Sequence, residues 1–211
     1  MNTYSADETP RLSRDQAFQI ARSFQKDAVA LKIPVALCGG YAMQLYGSDR
    51  QTKDIDFLAA APLAKPSSGK LSFGGDIYTT EDNIHVDWIV RTDEQQSLYQ
   101  AALDHRARMT NGLLVVAPEY LAVIKLLARR PKDESDLLFL LRRRGLVNRG
   151  KAHAIIKRLY GPGAFAISDD LRSHELEADL LNRREERNPP VKQLFIRPRR
   201  LVIHTVKRPR A

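Results

Sequence analysis

Leu37-Cys38-Gly39-Gly40-Tyr41-Ala42, followed after Gly47, Arg50 and Thr52 by Asp54-Ile55-Asp56-Phe57, is the stretch that decides how this 211-residue sequence is read. The apolar residues before the glycines predict a strand over Val35–Cys38, and Tyr41–Tyr46 reads as a short helix broken by Gly47-Ser48-Asp49. Ile55–Ala59 reads as the next strand. A Gly-Gly pair between a strand and a helix lets the backbone turn sharply and approach a ligand, and the unpaired N–H groups at a helix start suit a phosphate. A plain tight turn uses the same residues. Side chains alternate along a strand, so Asp54 and Asp56 share one face while Ile55 and Phe57 take the other. Adjacent carboxylates repel, so the pair is either solvated at a strand edge or gathered around a cation. Magnesium suits the second case, because it takes oxygen ligands and bridges one or two carboxylates to substrate phosphates.

Downstream, a third acid stands in an apolar run: Asp87 within His85-Val86-Asp87-Trp88-Ile89-Val90, the clearest strand of the set. If that strand lies beside Ile55–Ala59, Asp87 joins the other two. Lys125 is the only charge in Tyr120–Ala128, and on such a helix face a lysine needs an anion or must snorkel to water. Its partner is a triphosphate on one reading, and Asp133 or Asp136, one helical turn apart, on the other. Arg50, just ahead of the acids, is either a phosphate clamp or a surface arginine. Tyr41, Phe57 and Trp88 read as core, and the five histidines show no ligand spacing.

Taken together these residues resemble the nucleotidyltransferase signature of the DNA polymerase β superfamily: a strand, Gly-Gly opening a helix, Asp-x-Asp on the next strand and a later Asp. The form Gly39-Gly40-Tyr41-Ala42, Gly47, Arg50, Thr52, Asp54-Ile55-Asp56 is most similar to the AbiE-type toxin nucleotidyltransferases. Their later lysine and Lys-Asp-x-x-Asp motif have counterparts in Lys125 and Lys132-Asp133-Glu134-Ser135-Asp136. The likeness spans residues 33–141. It implies magnesium, or manganese in its place, held by Asp54, Asp56 and Asp87, with Asp87 completing a second metal site or acting as base. It further implies that NTP is bound by Gly39, Gly40, Arg50, Thr52, Lys125, Lys132, Asp133 and Asp136; with the basic tail, the acceptor reads as RNA and the partner as an antitoxin protein, the alternatives being transfer to a small-molecule or protein hydroxyl and an inactive scaffold that binds RNA or a partner.

Outside this region, Ser13-Arg14-Asp15-Gln16 predicts a capping box opening a helix whose apolar positions include Ala17, Phe18, Ala21, Phe24, Ala28 and Leu31. Pro62–Gly69 reads as a loop, with short strands near Leu71–Phe73 and Asp76–Thr79. After Asp93 the pattern is mostly helical: helices led by Pro118 and Pro131, another over Asn148–Tyr160, and one from an N-cap at Ser168 to about Glu186. The expected fold is α/β (α+β): a small mixed-sheet nucleotidyltransferase core over residues 1–112, a helical region completing the nucleotide site over 113–187, and a basic tail over 188–211.

Composition narrows the class. Hydrophobic residues make up 43%, which supports a core and argues against wholesale disorder. One cysteine, Cys38, forms no internal disulfide and reads as a buried core thiol. No apolar run reaches the length of a membrane span, and the acidic start (Asp7, Glu8) is wrong for a leader, so a cytoplasmic protein is expected. The formal net charge is +9, and the seven cations of Asn188–Ala211, unopposed by any acid, account for all but +2 of it. A segment of that kind binds polyanions through counterion release or serves only solubility, and Leu201-Val202-Ile203 within it alternates like a strand.

Overall fold

The computed structural model describes residues 11–187, so the basic tail and its strand-like segment lie outside the described residues. The first helix, α1 (Arg14–Ala30), starts on the expected capping box: Gln16 N–H donates to Ser13 Oγ (3.2 Å) and Ser13 N–H donates to Gln16 Oε1 (3.1 Å). It is followed by β1 (Val35–Cys38), α2 (Gly39–Leu45) and β2 (Ile55–Ala59). The glycines therefore form the first turn of α2 rather than preceding it.

Next come β3 (Gly69–Lys70), β4 (Gly75–Thr79) and β5 (His85–Ile89), then α3 (Gln96–Asp104), β6 (Ala107–Arg108) and β7 (Leu114–Val115). These strands make one mixed sheet of seven in the order β3-β4-β5-β2-β1-β7-β6. Its centre carries the register that matters: β1 runs antiparallel to β2 with Cys38 opposite Asp56, and β2 runs parallel to β5 with Asp56 opposite Asp87. The remaining helices are α4 (Pro118–Ala128), α5 (Pro131–Arg142), α6 (Arg149–Tyr160) and α7 (Ala164–Arg187). Both prolines sit at the helix start, where a missing N–H costs nothing. The mixed α/β class and the helical second half match the expectation.

Packing explains why the sheet holds its acids rigidly. Beneath the sheet Phe24, Phe57, Tyr78 and Trp88 form an aromatic cluster, with Phe57 and Trp88 centroids 5.4 Å apart. Trp88 is fully buried and its Nε1–H donates to the Ala61 carbonyl (2.9 Å). Truncating a residue of this kind to alanine costs about 3–5 kcal/mol. The helical half is tied down by Arg149, which donates to both oxygens of Asp179 on α7 (2.9 and 2.7 Å).

Two further expectations are corrected. Leu71–Phe73 is not a strand. The strand is Gly69–Lys70, and the chain then reverses at Gly74 and Gly75, whose φ values of +104° and +115° suit glycine alone. The stretch after Asp93 is mostly helical as expected, and it also holds β6 and β7, which at two residues each are too short to show alternation. β7 nonetheless pairs with β1, with Leu37 opposite Val115. Ser168 is not an N-cap but an interior residue of α7, which runs out of the 3-10 turn Gly161–Gly163 at Ala164. No helix among the described residues is long and apolar enough to cross a membrane.

Candidate functional site

The acid cluster is a product of strand register. Because β2 and β5 are parallel and Asp56 faces Asp87 across them, the two side chains emerge on the same side at the same level. Asp54 joins them from just before β2. One carboxylate oxygen from each of Asp54, Asp56 and Asp87 lies within 4.8 Å of the others, and all three residues are half-buried. Thr52 aims Asp54: its hydroxyl donates to Asp54 Oδ1 at 2.8 Å.

The glycines make the room. Gly39 has φ +60°, and a Cβ there would stand 1.8 Å from Asp56 Oδ2, so only glycine lets this carboxylate lie against the turn. A Cβ on Gly40 would meet Thr52 Oγ1 at 2.5 Å. Gly40 N–H donates to Asp56 Oδ2 (3.3 Å), so this amide, read from the sequence as a phosphate contact, holds the carboxylate here.

Electrostatics follow from crowding. Burial, then the charges of Asp54 and Asp87, push the Asp56 carboxyl up to about 7. Burial and Asp54 also raise Asp87, and burial raises the Cys38 thiol at the end of β1. A hard divalent cation fits this donor set: the ligands are all carboxylate oxygens, and its charge cancels the repulsion that holds Asp56 up.

The sign of the resulting pH dependence is fixed. A carboxyl raised on folding holds its proton in the native state after the unfolded chain has released it. The metal-free protein therefore loses stability as pH rises from about 4, the ordinary carboxylate range, to about 7. A divalent cation held by these carboxylates would compete with that proton. Melting curves with and without magnesium are expected to differ more at pH 8 than at pH 6, and an equal shift at both would contradict the assignment of these acids as ligands.

Behind the acids lies a buried ion network that unites four of the sequence candidates. Lys125 Nζ contacts Asp133 Oδ1 (2.7 Å) and Asp136 Oδ2 (2.8 Å), and Arg50 Nη1 reaches Asp136 Oδ2 (2.6 Å). Arg130 pairs with the other oxygen of Asp133. Lys125, Asp133 and Asp136 are 4%, 0% and 3% exposed, so these charges exist because each is matched. Burial opposes ionisation of both Lys125 and Asp133. Their hydrogen bonds prevail, raising the lysine and lowering the aspartate.

Acids and cations open on a common cavity of about 350 Å³. Gly39, Gly40, Arg50, Lys125, Lys132 and Asp133 line it with the three acids, whereas Thr52 and Asp136 stand behind and position residues that do.

Among solved structures the chain is similar to an antigenic nucleotidyltransferase-like protein from Paracoccidioides brasiliensis, at 17% identity and TM-score 0.43, over 85% of this chain and 93% of that one. It is also similar to a candidate nucleotidyltransferase from H. pylori, at 16% identity and TM-score 0.44, over 85% of this chain and 100% of that one. No family model and no curated protein matches the sequence. The functional reading is carried by the chain's own geometry.

Sequence reasoning missed one wall of the cavity. Phe73, Ile89, Tyr99 and Ile124 line it together with the acids, and the Arg91 guanidinium is 5.1 Å from the Phe73 ring centre and 5.0 Å from that of Tyr99. These residues come from a turn, a strand end and two helices, so no local motif announces them. Arg130 was also missed, though its position three residues before Asp133 is a usable signal.

Proposed function

We infer that the protein is a divalent-metal-dependent nucleotidyltransferase that moves a nucleoside monophosphate from an NTP to an acceptor hydroxyl, with RNA as the acceptor. The observation that supports this best is the convergence of Asp54, Asp56 and Asp87 in a cavity that Arg130, Lys125 and Lys132 also line. Asp54 and Asp56 would hold magnesium, which would supply charge neutralisation for the triphosphate.

The chain's own residues do the rest. Lys132 and Arg130 offer charge to the phosphates, and the aromatic wall of Phe73 and Tyr99 receives the base. Asp87, its carboxyl raised by burial and by the charge of Asp54, takes the proton of the acceptor hydroxyl. That oxygen bonds to the α-phosphorus as the bond to the β-phosphate oxygen breaks and pyrophosphate leaves. In this reading residues 1–112 supply the acids and glycines, and residues 113–187 complete the nucleotide site through Lys125, Lys132, Asp133 and Asp136. The Lys-Asp-x-x-Asp resemblance favours a toxin role with an antitoxin partner.

Incubation with magnesium, total bacterial RNA and each of the four α-labelled NTPs tests the reaction. Label is expected on RNA, chiefly from one nucleotide. Label on protein or on a small molecule would move the acceptor out of the RNA class. Nucleotide binding without transfer would favour a binding protein built on this scaffold.

A further inference from the structure

Alternation along β5 and the two residues that run on from it puts Asp87, Ile89 and Arg91 on one face, and all three line the cavity of the acids. Along that face the chemistry passes from acid to apolar to cation within about 13 Å of extended chain. Arg91 is poorly suited to a phosphate, because its charge is already matched. Asp93 Oδ1 accepts from Arg91 Nε–H (2.9 Å) and Asp93 Oδ2 from Nη2, which leaves Nη1. The guanidinium is held in place as well as neutralised. Its side chain is 12% exposed, and its centre lies 5.1 Å from the Phe73 ring centre and 5.0 Å from that of Tyr99. Val90 N–H donates to the Gly74 carbonyl (3.3 Å), which fixes the turn that carries Phe73 beside the end of β5.

Asp93 also places a second polar group. Its Oδ1 accepts Gln95 N–H (3.2 Å), and Gln95 stands at the start of α3 on the same cavity. The Gln95 side-chain amide makes no hydrogen bond among the described residues. Two groups are therefore free for a ligand here: Nη1, which only donates, and an amide, which donates and accepts.

We propose that Arg91 and Gln95 read the edge of the NTP base and select a keto base, guanine or uracil, over adenine and cytosine. The proposal rests on the nucleotidyltransferase reading and specifies its nucleotide. Guanine and uracil each carry a carbonyl oxygen beside a ring N–H, so Nη1 donates to the oxygen and the Gln95 amide oxygen takes the N–H. Adenine and cytosine carry an amino group in that place. It sets donor against donor, and a guanidinium cannot reverse its role as an amide can. The mismatch leaves a polar group unpaired in a half-buried site, which is how such sites discriminate strongly.

Isothermal titration with magnesium and the α,β-methylene analogues of GTP, UTP, ATP and CTP tests this. At least one keto-base analogue is expected to bind the wild-type chain roughly tenfold more tightly than either amino-base analogue. Tight binding of the GTP analogue alone marks a 6-oxopurine site, of the UTP analogue alone a 4-oxopyrimidine site, and of both an edge read without regard to ring size. In Arg91→Gln the preference falls below about threefold, because the new amide turns either way. Gln95→Met leaves the Asp93 pair intact and weakens keto-base binding about fivefold, with amino-base binding within about twofold of wild type. Four equal affinities, or an amino-base analogue that binds tightest, overturn the proposal and leave the enzyme reading standing. An equal loss for all four in Arg91→Gln also overturns it, since that marks a packing role between the two rings. Melting curves check folding, and should Arg91→Gln unfold, the ratio in Gln95→Met decides. Failure of all four analogues to bind the wild-type chain sinks the enzyme reading and the base selection with it.

Discussion

Asp56→Asn is expected to abolish the nucleotidyl transfer proposed for this site while making the metal-free protein more stable at pH 8. The two effects share one cause. Asp56 is the most crowded of the three acids, lying against the Gly39 turn with Asp54 and Asp87 both close enough to raise it to about 7. At pH 8 it is ionised and repelled, and asparagine removes that charge while its side-chain oxygen still accepts from Gly40 N–H. The gain is on the order of 1 kcal/mol, roughly 2–4 °C in melting temperature for a chain of this size.

Activity moves the other way. An amide oxygen is a poor exchange for a carboxylate among three hard ligands, and the lost charge stabilisation is at least about 4 kcal/mol, roughly a thousandfold in rate. Transfer assays with magnesium, paired with melting curves in chelator at pH 8, check both halves. A variant that melts lower than wild type in chelator, or keeps a tenth of the transfer rate, contradicts the assignment.

How much of this was legible in the sequence depends on where each residue's partner lies. The strand Val35–Cys38, the strand Ile55–Ala59 and the capping box at Ser13 were readable because their signals are local. Asp54 and Asp56 were readable because alternation puts both on one face. That Asp87 joins them was only conditional, since the pairing of β2 with β5 depends on a parallel crossover no nearby residue encodes. The aromatic wall was hidden for the same reason: Phe73 reaches the cavity from a glycine turn that reads as a strand. Pairing of Lys125 with Asp133 or Asp136 was one of its two readings and both pairs form, whereas Arg50 was read without a protein partner. Arg50 and Lys125 meet at Asp136, a convergence set by how α5 packs on α4.

That convergence makes Lys125→Met costly in stability although it leaves the side chain's volume nearly unchanged. The ammonium is 4% exposed and shared between Asp133 and Asp136, themselves 0% and 3% exposed. Methionine fits the stem but leaves two buried carboxylates short of a cation. Each keeps one partner, Arg130 for Asp133 and Arg50 for Asp136, which places the loss near the lower end for a broken buried pair, about 3 kcal/mol. Urea denaturation measures it. The double variant Lys125→Met/Asp136→Asn then separates the two readings of the lysine. Removing one orphaned carboxylate restores part of the lost stability, because the penalty lies in the unmatched charge and not in the missing bond. If Lys125 also serves the triphosphate from its place on the cavity wall, NTP affinity in the double variant stays as low as in the single one. Affinity that returns together with stability would make Lys125 a clasp between α4 and α5 alone, and would leave the phosphates to Arg130 and Lys132.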